Sequence, residues 1–231
     1  MKSYGQLPLP LGATPRYGRE DFLVGKPNEA AFAYVERWPR WLAPAAIVSG
    51  PEGSGKSHLA AIFARMSDAR TLRADHLILD EVPEVAQSPA LVLEDCDRFP
   101  PDEVALFHLL NLARETGHFV VMTARVPPDR WGIRTPDLLS RLRLAPLLQL
   151  AEPDDALLGA LFVKHFSDLQ LSVDASVVTY AMARIERSYA AVQALVAALD
   201  RESLVRKKPV TRALVAEILG ERIPDEEEGP G

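Results

Sequence analysis

A single cysteine, Cys96, stands in 231 residues, so no internal disulfide can form, as is usual for proteins of a reducing cytoplasm. Long apolar runs are missing too: none approaches the roughly 18 residues that a membrane-spanning helix needs. The N-terminus lacks the basic stretch and apolar core of a secretory signal, and a cytoplasmic location is expected. Positive charge is in deficit. The 26 Lys and Arg against 32 Asp and Glu leave a net charge of −6, which disfavours nucleic-acid binding over a broad surface and leaves room for a local basic patch. No internal repeat is found. Hydrophobic residues are plentiful at 48%, enough for a core. The length suits one α/β domain with a small satellite, or two small domains.

Residues 50–57 read Gly50-Pro51-Glu52-Gly53-Ser54-Gly55-Lys56-Ser57, a complete G-x-x-x-x-G-K-S phosphate-binding loop. The apolar run 45–49 before it predicts a buried strand, and the spacing over 58–65 predicts a helix, which is the context this motif requires. Glycines at 50, 53 and 55 let the backbone curl so that its N–H groups face phosphate oxygens. The following helix adds the positive end of its dipole. Lys56 is expected to reach the β- and γ-phosphates, and the Ser57 hydroxyl to ligate magnesium. The bland alternative is a glycine-rich turn.

Residues 1–20 are rich in Pro and Gly and predict an extended segment. A helix is predicted over 28–38, with Asn28 as N-cap. Residues 71–73 form a weak strand signal; 90–93 and 118–123 are strong ones, and 145–150 is a further strand. A helix over 102–116 starts with two acids at its positive end and stops at Gly117. Strands alternating with helices imply a parallel sheet covered on both faces. After Pro153 the periodicity turns wholly helical, over 154–168, 174–184, 188–205 and 211–219. The expected organisation is therefore an extended segment at 1–20, an α/β core at 21–150, a small helical domain at 151–220, and an acidic tail at 221–231 that buries nothing.

The strand at 90–93 runs into Glu94-Asp95. A phosphate loop needs an acid at the end of a neighbouring strand for the magnesium shell, and a second can orient the attacking water. Glu94 suits the first role and Asp95 the second; an acidic surface turn is the alternative. Cys96 reads as a packing residue. Thr123, at the end of another strand, is placed to touch a γ-phosphate, and Arg125 is either a phosphate contact or a surface charge.

Taken together, residues 22–219 resemble the AAA+ ATPase domain of the bacterial replication initiator DnaA. The markers are Phe22-Leu23-Val24-Gly25 with Asn28, the phosphate loop followed by His58-Leu59, the acid pair 94–95, and Pro136-Asp137-Leu138-Leu139-Ser140-Arg141-Leu142. The resemblance implies a P-loop AAA+ parallel-sheet core with a C-terminal α-helical lid. It also implies ADP or ATP with Mg2+ as cofactors, with Phe22, Val24 and Gly25 around the adenine and Pro51, Ser54 and His58 in the nucleotide shell. Arg141 looks like the family's arginine finger, which acts on nucleotide held by a neighbouring subunit; a guanidinium suits this because its charge is permanent and its fork matches phosphate oxygens. A surface salt bridge is the alternative for Arg141.

Two departures sharpen the resemblance toward Hda-type regulatory inactivators of DnaA. The chain is expected to end with the helical lid and to carry no DNA-binding domain. It begins with Gln6-Leu7-Pro8-Leu9-Pro10-Leu11, similar to the segment with which that family binds the replicative sliding clamp. Leu7, Leu9 and Leu11 are apolar groups in a segment too short to bury them. Pro8 and Pro10 hold the backbone extended, and Gln6 offers an amide that donates and accepts. A Pro-rich tail packed on its own domain is the alternative. A third departure concerns the lid: where the family carries an arginine that senses phosphates, the alignment places Ala190, and Arg187, on the same helix face, is either a substitute or a solvated charge.

The resemblance implies a regulator of replication initiation, tethered to the β clamp of DNA polymerase III, that stimulates hydrolysis of DnaA-bound ATP. Its partners would be the DnaA AAA+ domain and the clamp, with a homodimer compatible and no membrane involved; its own ATPase would be weak or absent. The rivals are a helicase-loader or initiator-like ATPase acting on DNA, and a passive clamp-binding adaptor with a degenerate nucleotide site.

Overall fold

The structure, a computed structural model, describes residues 17–85 and 87–220. Five parallel strands form one sheet in the order β2-β3-β4-β1-β5. They are β1 (Ala45–Ser49), β2 (Arg70–Arg73), β3 (Ala90–Glu94), β4 (Phe119–Ala124) and β5 (Leu147–Gln149). The three central strands are buried on both faces and read as continuous apolar runs, as sheets covered twice must. Alternate residues face opposite layers. Ile47, Leu91, Leu93, Val120 and Met122 pack beneath α4 (Glu103–Thr116) and α5 (Pro136–Leu144). Ala46, Val48, Val92 and Val121 pack against α1 (Glu29–Glu36) and α2 (Lys56–Ser67). Both layers converge on the carboxyl ends of β1, β3 and β4, where open α/β sheets place ligands.

Expectation and structure differ at several points. The strand expected over 145–150 is only Leu147–Gln149, because α5 runs to Leu144 and Pro146 has no N–H to donate, though its carbonyl accepts from Ile47 at 2.9 Å. The segment 74–85 forms two single-turn helices and a short α3 (Val82–Val85); its buried residues Ala74, Leu77, Val82 and Val85 follow no regular period, so no element was expected there. Asn28 precedes α1 but makes no side-chain cap.

Beyond β5 come α6 (Asp155–Asp168), α7 (Ala175–Met182), α8 (Tyr189–Arg206) and α9 (Arg212–Leu219). Each is capped by the side chain before it, Asp154, Asp174, Ser188 and Thr211 respectively, which accepts a backbone N–H of the first turn. They share one apolar cluster, to which α8 contributes Val192, Leu195, Val196 and Leu199 at helical spacing. No described helix is long and apolar enough to cross a membrane.

Candidate nucleotide-binding site

The loop between β1 and α2 is held by close backbone approaches. A Cβ at Gly50 would lie 2.3 Å from the carbonyl oxygen of Leu150, so no larger residue fits. Gly53 and Gly55 take φ of 71° and 94°, the left-handed region that glycine enters without penalty. Lys56 is buried and folds over the loop, its Nζ donating to the carbonyls of Gly50 at 2.8 Å and Pro51 at 2.7 Å. Burial pushes its pKa down, and the nearby acids Asp95, Asp97 and Glu52 work against that shift. The Ser54 hydroxyl is buried in the same loop with no hydrogen-bond partner, an orphan that an acceptor-rich ligand such as a phosphate would satisfy.

The two residues read as the magnesium pair are brought together. Glu94 ends β3 near Ser57, the second residue of α2; burial raises the Glu94 pKa, and the Ser57 hydroxyl works against that shift. Among the described residues no three carboxylate, histidine or cysteine groups cluster as a cage. A hydroxyl and a carboxylate beside a phosphate loop nevertheless fit Mg2+, which draws remaining ligands from phosphates and water.

Asp95 adopts φ 58° and its N–H donates to Thr123 Oγ1 at 3.0 Å. The buried Thr123 therefore braces the acid turn and keeps its own hydroxyl proton to donate. Asp97 accepts both the backbone N–H and the Nε of Arg125, each at 3.1 Å, which commits Arg125 to an ion pair. Cys96 is fully buried, and burial pushes its thiol pKa far up.

On the side assigned to the base, Phe22 is buried against Phe32, rings stacked at 5.3 Å, and meets His58 edge-on at 5.1 Å. Val24 is exposed, and the Gly25 N–H donates to Asn28 Oδ1 at 2.8 Å. His58 Nε2 pairs with the Gly18 carbonyl at 2.8 Å, and burial lowers its pKa.

The helical bundle touches the loop through Tyr189, which sequence reasoning passed over, and through Ser188 and Ala190. The Tyr189 N–H donates to the Gly53 carbonyl at 2.9 Å, and its hydroxyl accepts from Asn28 Nδ2 at 2.8 Å. A Cβ on Gly53 would lie 2.8 Å from Ser188 Cβ and 3.5 Å from Ala190 Cβ. An aromatic directly after a helix N-cap was the available signal. Arg187 is ion-paired with Asp155 on the surface. Arg141 belongs to the opposite layer, its guanidinium 4.8 Å from the centre of the Phe107 ring and in no ion pair among the described residues. Gln6, Leu7, Leu9 and Leu11, and the acidic tail, lie outside the described residues.

No family model matches the chain, and no curated protein matches it in sequence. Solved structures do match in fold. Domain III of Thermotoga maritima DnaA superposes with a TM-score of 0.76 at 17% identity, covering 90% of this chain and 97% of that one. AMPPCP-bound DnaA from Aquifex aeolicus gives 0.70 at 16% identity, over 84% of this chain and 70% of that one. A Thermotoga maritima RuvB variant gives 0.71 at 13% identity, over 88% and 71%. The fold is thus the α/β P-loop fold of these AAA+ domains.

Proposed function

We propose that this chain is a nucleotide-holding AAA+ regulator of replication initiation, acting from the sliding clamp to stimulate hydrolysis of DnaA-bound ATP. In this reading residues 21–150 form the nucleotide-binding core and 151–220 the lid. The loop backbone, Lys56 and Ser54 hold the phosphates of ADP or ATP, and Ser57 with Glu94 hold Mg2+. Bound nucleotide supplies the negative charge on which these groups converge.

The observation that carries the regulatory reading is the contrast between two arginines. Arg187, three residues before the Ala190 that stands where the family carries its lid arginine, is ion-paired with Asp155. Arg141 on α5 lies over Phe107 and has no carboxylate partner among the described residues. A loop served by Lys56 with Arg187 committed to Asp155, and a guanidinium on the opposite layer turned to an aromatic ring, favours action in trans. A well-placed arginine finger is worth about 10³–10⁵ in rate. Residues 6–11 would bind the clamp and raise the effective concentration of a weak partner.

The test is phosphate release from ATP-loaded DnaA with clamp on DNA. Arg141→Ala is expected to abolish stimulation while ADP and clamp binding persist. Alanine at Gln6 and Leu7 is expected to remove clamp affinity. Normal stimulation by the Arg141 variant would refute the finger. The Arg187–Asp155 pair also favours a second reading, a passive clamp adaptor; that protein would bind clamp and leave DnaA-bound ATP intact.

A further inference from the structure

One buried side chain joins three parts of the molecule. Asn28 is 2% exposed. Its Oδ1 accepts from the Gly25 N–H at 2.8 Å, and its Nδ2 donates to the Leu23 carbonyl at 2.9 Å and to the Tyr189 hydroxyl at 2.8 Å. Both amide protons and the carbonyl oxygen are used, which fixes the orientation of the amide. Segment 17–25 thereby becomes a strap tied to the bundle. Asp21 pairs with Lys164 of α6 at 2.8 Å, Leu23 packs in the bundle cluster, and the Gly25 Cα faces Leu157.

The other end of this chain of bonds is the peptide joining Gly53 and Ser54. Its carbonyl accepts the Tyr189 N–H at 2.9 Å, while its N–H donates to the Pro51 carbonyl at 3.3 Å, a long bond. Lys56 Nζ occupies that same Pro51 carbonyl. A phosphate competes for the Ser54 N–H and for Lys56 at once. Because that N–H and the carbonyl holding Tyr189 belong to one planar peptide, any rotation that turns the N–H toward a phosphate turns the carbonyl as well. Tyr189 is kept as a neutral hydroxyl, its pKa pushed up to about 12 chiefly by burial.

We propose that Asn28 and Tyr189 are positioning residues that couple the phosphate loop to strap and bundle, so that the bundle senses bound nucleotide through neutral hydrogen bonds instead of an arginine–phosphate contact. This rests on the nucleotide reading above. It assigns Asn28 a role that its place before a helix disguises, and it explains why an alanine serves at 190: a small residue lets the bundle rest directly on Gly53.

Hydrogen exchange of the full chain, with and without Mg2+ and ADP, tests it alongside calorimetric ADP affinity. In wild type, ADP is expected to slow exchange at the loop, at 23–25 and at the first turn of α8. Tyr189→Phe and the near-isosteric Asn28→Asp are expected to bind ADP about 5- to 30-fold more weakly and to lose the ADP-dependent slowing at 23–25 and α8, with loop protection kept. Lys56→Ala is expected to lose ADP binding. A merely structural role would speed exchange equally with and without ADP, and that result would overturn the proposal. ADP binding to wild type without protection of strap or α8 would overturn the coupling alone; no ADP binding to wild type would remove the nucleotide reading and the coupling together.

Discussion

His58 ties the start of α2 to the strap through the Gly18 carbonyl, with Tyr17 and Phe22 against its ring. Burial lowers its pKa below that of a free imidazole, with the Gly18 hydrogen bond and Asp21 drawing it up and Arg65 and Lys164 adding to the decrease. The unfolded chain therefore takes up the proton first as pH falls. Stability contributed by neutral His58 is present above about pH 6.5 and declines below it, until the folded histidine also protonates. His165 shifts the same way, whereas the raised Glu94 favours the folded state on acidification. His58→Gln, which retains a donor for Gly18, is expected to shrink the loss of thermal stability between pH 7.5 and 5.5, with the other two groups acting equally in both proteins. A melting series across that range checks it. At this scale the sequence was informative where chemistry is carried by residue type. Ser57 and Glu94 were singled out by their motif and lie near one another, whereas the partners of Thr123 and of Asn28 lie too far along the chain for any local pattern to name.

Among the elements, α4 gives the clearest isolated test. Its N-cap Asp102 accepts the Ala105 N–H at 2.8 Å, and Gly117 ends it at φ 76°. Asp102→Ala is expected to cost about 0.5–2 kcal/mol, lowering the melting temperature by about 2–4 °C per kcal/mol in a chain of this size, with ADP affinity unchanged. Calorimetry and an ADP titration of the variant check both halves. Helices α4, α6, α8 and α9 were legible because apolar periodicity and capping residues agree. The turns over 74–81 were not, since three-residue helices carry too little pattern. Helix α5 was noticed for its motif, although Leu138 and Leu142, both buried, already mark one face.

For the whole molecule, ligand binding and folding are linked. ADP at a hundredfold excess over its dissociation constant is expected to stabilise the fold by about 2.7 kcal/mol, and Lys56→Ala to abolish that gain; thermal shift against ADP concentration measures it. The parallel sheet was legible from alternating strands and helices. Its order was not, because no local pattern reveals that β4 inserts between β1 and β3. That insertion brings Thr123 beside the acid turn, and chain closure brings Tyr189 onto Gly53. Finally, Cys96 is the sole thiol and is sealed in the core with its reactivity suppressed. The native chain is therefore expected to resist maleimides while folded. A dye or spin label on one cysteine introduced at exposed Arg201, paired with a second probe on the core, can follow the bundle in solution without first stripping the protein of its own sulfhydryl.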